Sequence, residues 1–78
     1  MNQMQTPEFL AAKAELQPHQ QRIVEELEQL ADRALKLGAF INSERFDSID
    51  KMEQRRMLAQ SVHMLGYLEV LQQRVNAF

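Results

Sequence analysis

PHQQRIVEELEQLADRALKLGAFIN, residues 18–42, is the stretch that decides the fold. Its apolar residues Ile23, Leu27, Leu30, Ala34, Leu37 and Ile41 are spaced 4, 3, 4, 3 and 4 apart. At 3.6 residues per turn this spacing gathers them on one helical face, whereas a strand would alternate every second residue. The seam persists for roughly two and a half heptads, as in helices that pack along their length. Val24, Ala31, Leu35 and Gly38 widen it on one side. Pro18 suits the first turn, where the amide it lacks would have no helical partner. Asn42-Ser43 ends the helix.

Upstream, Met1 to Gln5 read as a leader, and Thr6-Pro7-Glu8 has the order of a helix start. Thr6 is the expected N-cap, Pro7 takes the first helical position, and Glu8 complements the helix dipole. A short, alanine-rich helix is expected over 6–17, stopped or sharply bent at Pro18. Downstream, 43–50 is a connector in which Phe46 and Ile49 plug the open end of the packed helices. Asp50 followed by Glu53 has the form of a capping box. A second long helix is expected over 51–76.

That helix carries one stripe of Met57, Met64, Leu68, Leu71, Val75 and Phe78, with Ser61 in its remaining slot. Leu58, Val62 and Leu65 form another stripe beside it. The reading is therefore all-α: one helical domain over 1–78, with a short N-terminal helix followed by a long antiparallel αα-hairpin. A helix apolar over so wide an arc is rarely satisfied by one partner helix. An oligomeric helical bundle, a dimer or higher, follows from that breadth. A three-helix monomer, with the N-terminal helix over the second stripe, is the alternative.

Composition points the same way. A 78-residue chain buries only about 60% of its unfolded surface, and small domains of this kind usually add a disulfide, a metal or a partner. Cysteine is absent, and His19 and His63 are too few and too far apart for a zinc site, so association is the expected source of stability. A net charge of -2 argues against a DNA-coating protein. No apolar run approaches the roughly 20 residues needed to span a bilayer, and no signal peptide is visible, so the cytoplasm is the expected location.

No motif for catalysis is present: neither a glycine-rich phosphate loop, nor a nucleophile elbow, nor a His-Glu-x-x-His helix. The expectation is a binding protein without enzymatic activity or a cofactor. Arg22 with Glu26 and Asp32 with Lys36 stand at the spacing of surface ion pairs. The row Gln60, Met64, Tyr67, Leu71 and Arg74, spaced 4, 3, 4 and 3, shares a face, with His63 beside it and Gly66 next to Tyr67. Tyr67 offers a ring for stacking, and Arg74 a planar fork for phosphate or carboxylate. Arg33, Lys36 and Phe40 join them if the hairpin register brings them near. An aromatic platform beside arginine suits a nucleotide. The same residues admit a plainer reading, with Gly66 as a helix crossing point, His63 at an interface, Tyr67 packed and Arg74 paired to a glutamate.

Pro18 to Val75 resembles small helical proteins encoded by bacteriophages. The resemblance rests on Pro-His-Gln-Gln-Arg-Ile-Val (Pro18 to Val24) and Leu-x-x-Phe-Ile-x-Ser-x-x-Phe (Leu37 to Phe46). It continues with Gln60, Met64, Tyr67, Leu71 and Arg74 at the spacings above. The chain looks like the hairpin proteins that include anti-CBASS and anti-Thoeris sponges. That resemblance implies compact homo-oligomers, commonly hexamers, which sequester cyclic di- or trinucleotide immune signals. It also implies pockets between subunits, with Tyr67 or Phe9 for base stacking and Arg33, Lys36 or Arg74 for phosphates. The competing reading is a protein-interaction module whose methionine-rich stripe (Met57 and Met64, with Met52 nearby) occludes a host or phage protein.

Overall fold

The computed structural model describes residues 15–78, and within them the chain is helical with no strand. Helix α1 spans Pro18–Ile41, a 3₁₀ turn spans Glu44–Ser48, and helix α2 spans Lys51–Asn76. The expected N-terminal helix falls mostly outside the described residues. Its last three positions, Glu15 to Gln17, form a turn and an extended residue.

Each helix begins and ends for a visible reason. Gln17 is the N-cap of α1, with Pro18 in the first turn. The Gln20 side-chain oxygen accepts from the Gln17 amide at 2.9 Å, while Gln17 O accepts from the amides of Gln20 and Gln21. The Gln21 side-chain amide reaches back to Leu16 O at 2.8 Å. At the far end the last turn of a helix leaves carbonyls without helical donors. Asn42 supplies both its backbone and side-chain N–H to Gly38 O, and the Ser43 hydroxyl donates to Phe40 O at 2.6 Å. Polar side chains that bond locally in this way end helices.

Asp50 caps α2 by accepting from the amides of Met52 and Glu53 at 3.0 and 3.3 Å. Only the forward half of the expected capping box is made, because the Glu53 carboxylate accepts from Arg56 Nε at 2.7 Å. The Gln54 side-chain amide donates to Phe46 O and Ile49 O, tying the connector to the first turn of α2. Phe46 turns inward and meets Phe40 edge to face, with ring centroids 6.4 Å apart. Phe46 and Ile49 are both half-buried at this closed end.

The two helices pack along their lengths. Ile23, Leu27, Leu30, Ala34, Leu37 and Ile41 of α1 are all buried or half-buried, as are Met57, Ser61, Met64, Leu68, Leu71 and Val75 of α2. Leu71, 1% exposed, is the most enclosed side chain among the described residues. Phe78 departs from the stripe: it lies beyond the last turn of α2 and is exposed. The row Leu58, Val62 and Leu65 is exposed throughout, as is Leu35 on α1. Neither described helix is long and apolar enough to cross a membrane.

Candidate functional site

The hairpin has two faces of opposite chemistry, and the helical repeat says which residues stand on each. Leu35 and Leu65 line one groove between the helices, with Ala31, Ala34, Gly38 and Leu68. Each residue advances the helix by about 100°. Arg33, two before Leu35, therefore points about 160° away from it, and Tyr67, two after Leu65, points about 160° away from that leucine. Because the helices are antiparallel, both steps also move the same way along the hairpin. Arg33 and Tyr67 thus both come out on the face opposite the groove.

Tyr67 is 46% exposed, and Gln60, His63 and Arg74 are exposed with it. These four follow one another at intervals of 3, 4 and 7 along α2 and form its polar edge. Met64 and Leu71, expected in the same row, are instead half-buried and buried against α1. A 4, 3, 4, 3 row straddles an arc, and here the boundary of the hairpin seam runs through it. The binding edge is therefore narrower than the sequence row, a ridge of Gln60, His63, Tyr67 and Arg74.

On α1, Arg33 is exposed and has no ion pair among the described residues. Lys36 pairs with Asp32 at 2.9 Å. Arg22 and Glu26, at the same spacing, form no such pair. Exposed pairs of this type contribute about 0.3–0.5 kcal/mol, so a phosphate can compete for Lys36. Phe40 is half-buried, its ring in an edge-to-face pair with Phe46, and the Arg45 guanidinium lies 5.9 Å from its centroid. Its ring is thus a hinge-end anchor already in contact on the protein side. Phe9 lies outside the described residues.

Arg45 is the basic group that the sequence reading passed over. It stands in the connector, outside any heptad, so no helical spacing marks it, yet Phe40 holds its guanidinium at the end of the hairpin. The Ser43-Glu44-Arg45-Phe46 order, with an aromatic one residue on and another five residues back, was the available signal.

Gly66 does not mark a close crossing inside the hairpin. Among the described residues, a side chain at Gly66 would meet nothing within 4 Å, and the same holds at Gly38. Among the described residues no group of three His, Cys, Asp or Glu gathers to hold a metal ion. The ridge can therefore do two things chemically: stack a flat ring on Tyr67, and offer hydrogen bonds and positive charge from Arg74 and Arg33 to an anion.

Comparison with known proteins gives this surface its context. A 7.5 kDa protein of Enterobacteria phage T4, described as uncharacterized and encoded in the denB-rIIB intergenic region, is 33% identical over 60 residues. The match takes in 77% of this chain and 94% of the T4 protein, and it supports a small phage-encoded protein. No solved structure matches the chain. The family model for Sequestin matches residues 17–77, which covers both long helices and the connector. The chain belongs to the Sequestin family.

Proposed function

We propose that this protein captures a cyclic di- or trinucleotide immune signal and holds it without turnover, as a phage anti-defence sponge in the host cytoplasm. The observation that carries this reading is the exposed Tyr67, on the same face of the hairpin as the exposed Arg33 and flanked on its own helix by His63 and Arg74. The base stacks on the tyrosine ring, and the phosphates meet the guanidinium groups. A family named for sequestration and a phage-encoded relative support the same reading. One ridge on a thin hairpin cannot enclose a nucleotide, so the pocket is completed by another subunit of a homo-oligomer, up to a hexamer.

Capture by equilibrium makes a chemical demand. The protein must bind the signal more tightly than the effector it starves, and it must return the molecule unchanged. The test is to saturate the protein with a cyclic nucleotide, remove free ligand by gel filtration, denature the protein and chromatograph what is released. Sequestration predicts stoichiometric recovery of the intact nucleotide. Recovery of a linear product would make the protein an enzyme, and recovery of nothing would remove nucleotides as its ligands.

A second reading has its own observation. Leu35, Leu58, Val62 and Leu65 are exposed together on the groove side. As a docking face for a host or phage protein, they would make this chain an occluding inhibitor. Nucleotide capture and protein occlusion use opposite faces of the hairpin, so substitutions at Tyr67 and at Leu65 separate them.

A further inference from the structure

The ridge holds two groups to which stacking and charge pairing give no task, the amide of Gln60 and the imidazole of His63. Two other glutamines of α2 are spent on the chain itself: Gln54 donates to Phe46 O and Ile49 O, and Gln72 to Asn76. Gln60 and His63 are exposed and make no hydrogen bond among the described residues. Their place relative to Tyr67 is specific. His63 precedes it by four residues and Gln60 by seven, which is about 6 and 10 Å along the helix axis. Arg74 follows it by seven, on the other side. Aromatic side chains in helices lean back over the preceding turn, towards the N-terminus. The Tyr67 ring therefore covers the His63 turn, and a base stacked on it turns one edge towards His63 and Gln60. Arg74, on the C-terminal side, is left for phosphate.

We infer that Gln60, with His63 beside it, reads the edge of that base and makes the site selective for adenine. This assignment rests on the sequestration reading. A carboxamide offers an acceptor and a donor side by side. Both polar edges of adenine answer it in a bidentate pair: the exocyclic N6–H donates to Gln60 Oε1, and Gln60 Nε2–H donates to ring nitrogen N7 or N1. His63 has a matching capacity, since a neutral imidazole carries one donor and one acceptor. Guanine is served less well. Its Hoogsteen edge presents acceptors only, and its other edge presents two adjacent donors, N1–H and N2–H, which suit a carboxylate. The ridge has no carboxylate among its members Gln60, His63, Tyr67 and Arg74. Stacking on Tyr67 cannot make this choice, because every base has a π face. Selectivity therefore comes from the polar groups at the edge of the stack.

The test is calorimetric titration of the full chain with all-adenine and all-guanine cyclic di- and trinucleotides, taken as matched pairs. It is run on the wild type, Gln60→Ala, Gln60→Glu and Tyr67→Ala. Both positions are exposed, so circular dichroism is expected to show native helix content in every variant. The wild type is expected to bind the adenine member of a pair at least about fivefold more tightly, the lower bound for one bidentate contact. Gln60→Ala should reduce that preference to less than about twofold. Gln60→Glu should reverse it, because a carboxylate cannot donate to adenine's ring nitrogen but accepts from both guanine donors. Tyr67→Ala should weaken both ligands and leave their ratio unchanged. A wild type that binds both members equally or prefers guanine would overturn the assignment and leave sequestration standing. So would a preference for adenine that survives Gln60→Ala or Gln60→Glu. A wild type that binds none of these nucleotides would overturn both readings together.

Discussion

Phe40, in the last turn of α1, and Phe46, in the 3₁₀ turn, meet edge to face at 85° with their ring centroids 6.4 Å apart. Such pairs contribute about 0.5–1.5 kcal/mol beyond the area they bury. Their position matters more than that figure. They close the hairpin beside the connector that Gln54 also holds, and so fix where α2 starts relative to where α1 ends. That register sets how Tyr67, about four and a half turns into α2, stands against α1.

Phe46→Ala is expected to loosen the closed end without dissolving the helices. Truncating a buried aromatic costs about 3–5 kcal/mol, and Phe46 is only half-buried, so a loss towards or below the lower figure is expected. Thermal unfolding followed by circular dichroism measures it. A variant as stable as the wild type would show that the register is fixed elsewhere.

Leu71→Ala addresses the seam itself. Leu71 is the most enclosed side chain among the described residues, and replacing such a leucine typically costs about 2–5 kcal/mol. In a chain this small that is a large share of the total stability. The same substitution at Val62, which is 66% exposed, is expected to leave the fold of a single hairpin nearly unaffected. Comparing the two by urea titration at low protein concentration checks which stripe of α2 faces α1.

Asp50→Ala removes the acceptor for the amides of Met52 and Glu53. Loss of an N-cap costs about 0.5–2 kcal/mol. Faster hydrogen exchange at the first-turn amides of α2, with the end of α2 unchanged, is the expected signature. Uniform acceleration across both helices would mean that the cap supports the whole hairpin.

Gly66→Ala tests whether α2 is bare at that point for a reason within the chain. The space is open, so alanine should fit and stabilise the helix by about 0.4–1 kcal/mol. A raised midpoint with ligand capture intact is the expected result. A raised midpoint with capture lost would place a ligand or subunit against that position.

Much of this fold was legible because its dominant signal is periodic. The 4, 3, 4, 3, 4 seam of α1 needs no tertiary information, and Pro18, Asn42-Ser43 and Asp50 mark the ends of the helices through local hydrogen bonds. The ridge was only partly legible. Spacing groups Gln60, Met64, Tyr67, Leu71 and Arg74, but only the packing of α1 against α2 shows that Met64 and Leu71 turn inward. Nor could spacing tell Phe40 as a stacking platform from Phe40 as an anchor, since that depends on Phe46 and Arg45 folding back from the connector. Gly66 misled for a related reason: a helical glycine suggests close approach, yet among the described residues nothing approaches it.

Tyr67 and Arg74 should matter to binding and not to folding, because both are exposed. Base–aromatic stacking contributes about 1–3 kcal/mol, so Tyr67→Ala is expected to weaken capture roughly fivefold to 150-fold. Arg74→Ala should weaken it further by removing a charge-assisted bond to phosphate. Neither variant should change the oligomer's mass. Unchanged affinity in both would remove this ridge from the ligand site.

The most direct test of sequestration is calorimetric titration of the wild-type protein with a panel of cyclic di- and trinucleotides. The account predicts saturable binding of at least one member, tight enough to hold the signal away from an effector and at a fixed number of sites per oligomer. No heat of binding from any member of the panel would contradict it, and the exposed leucines and valine of the groove side would then be the surface to pursue.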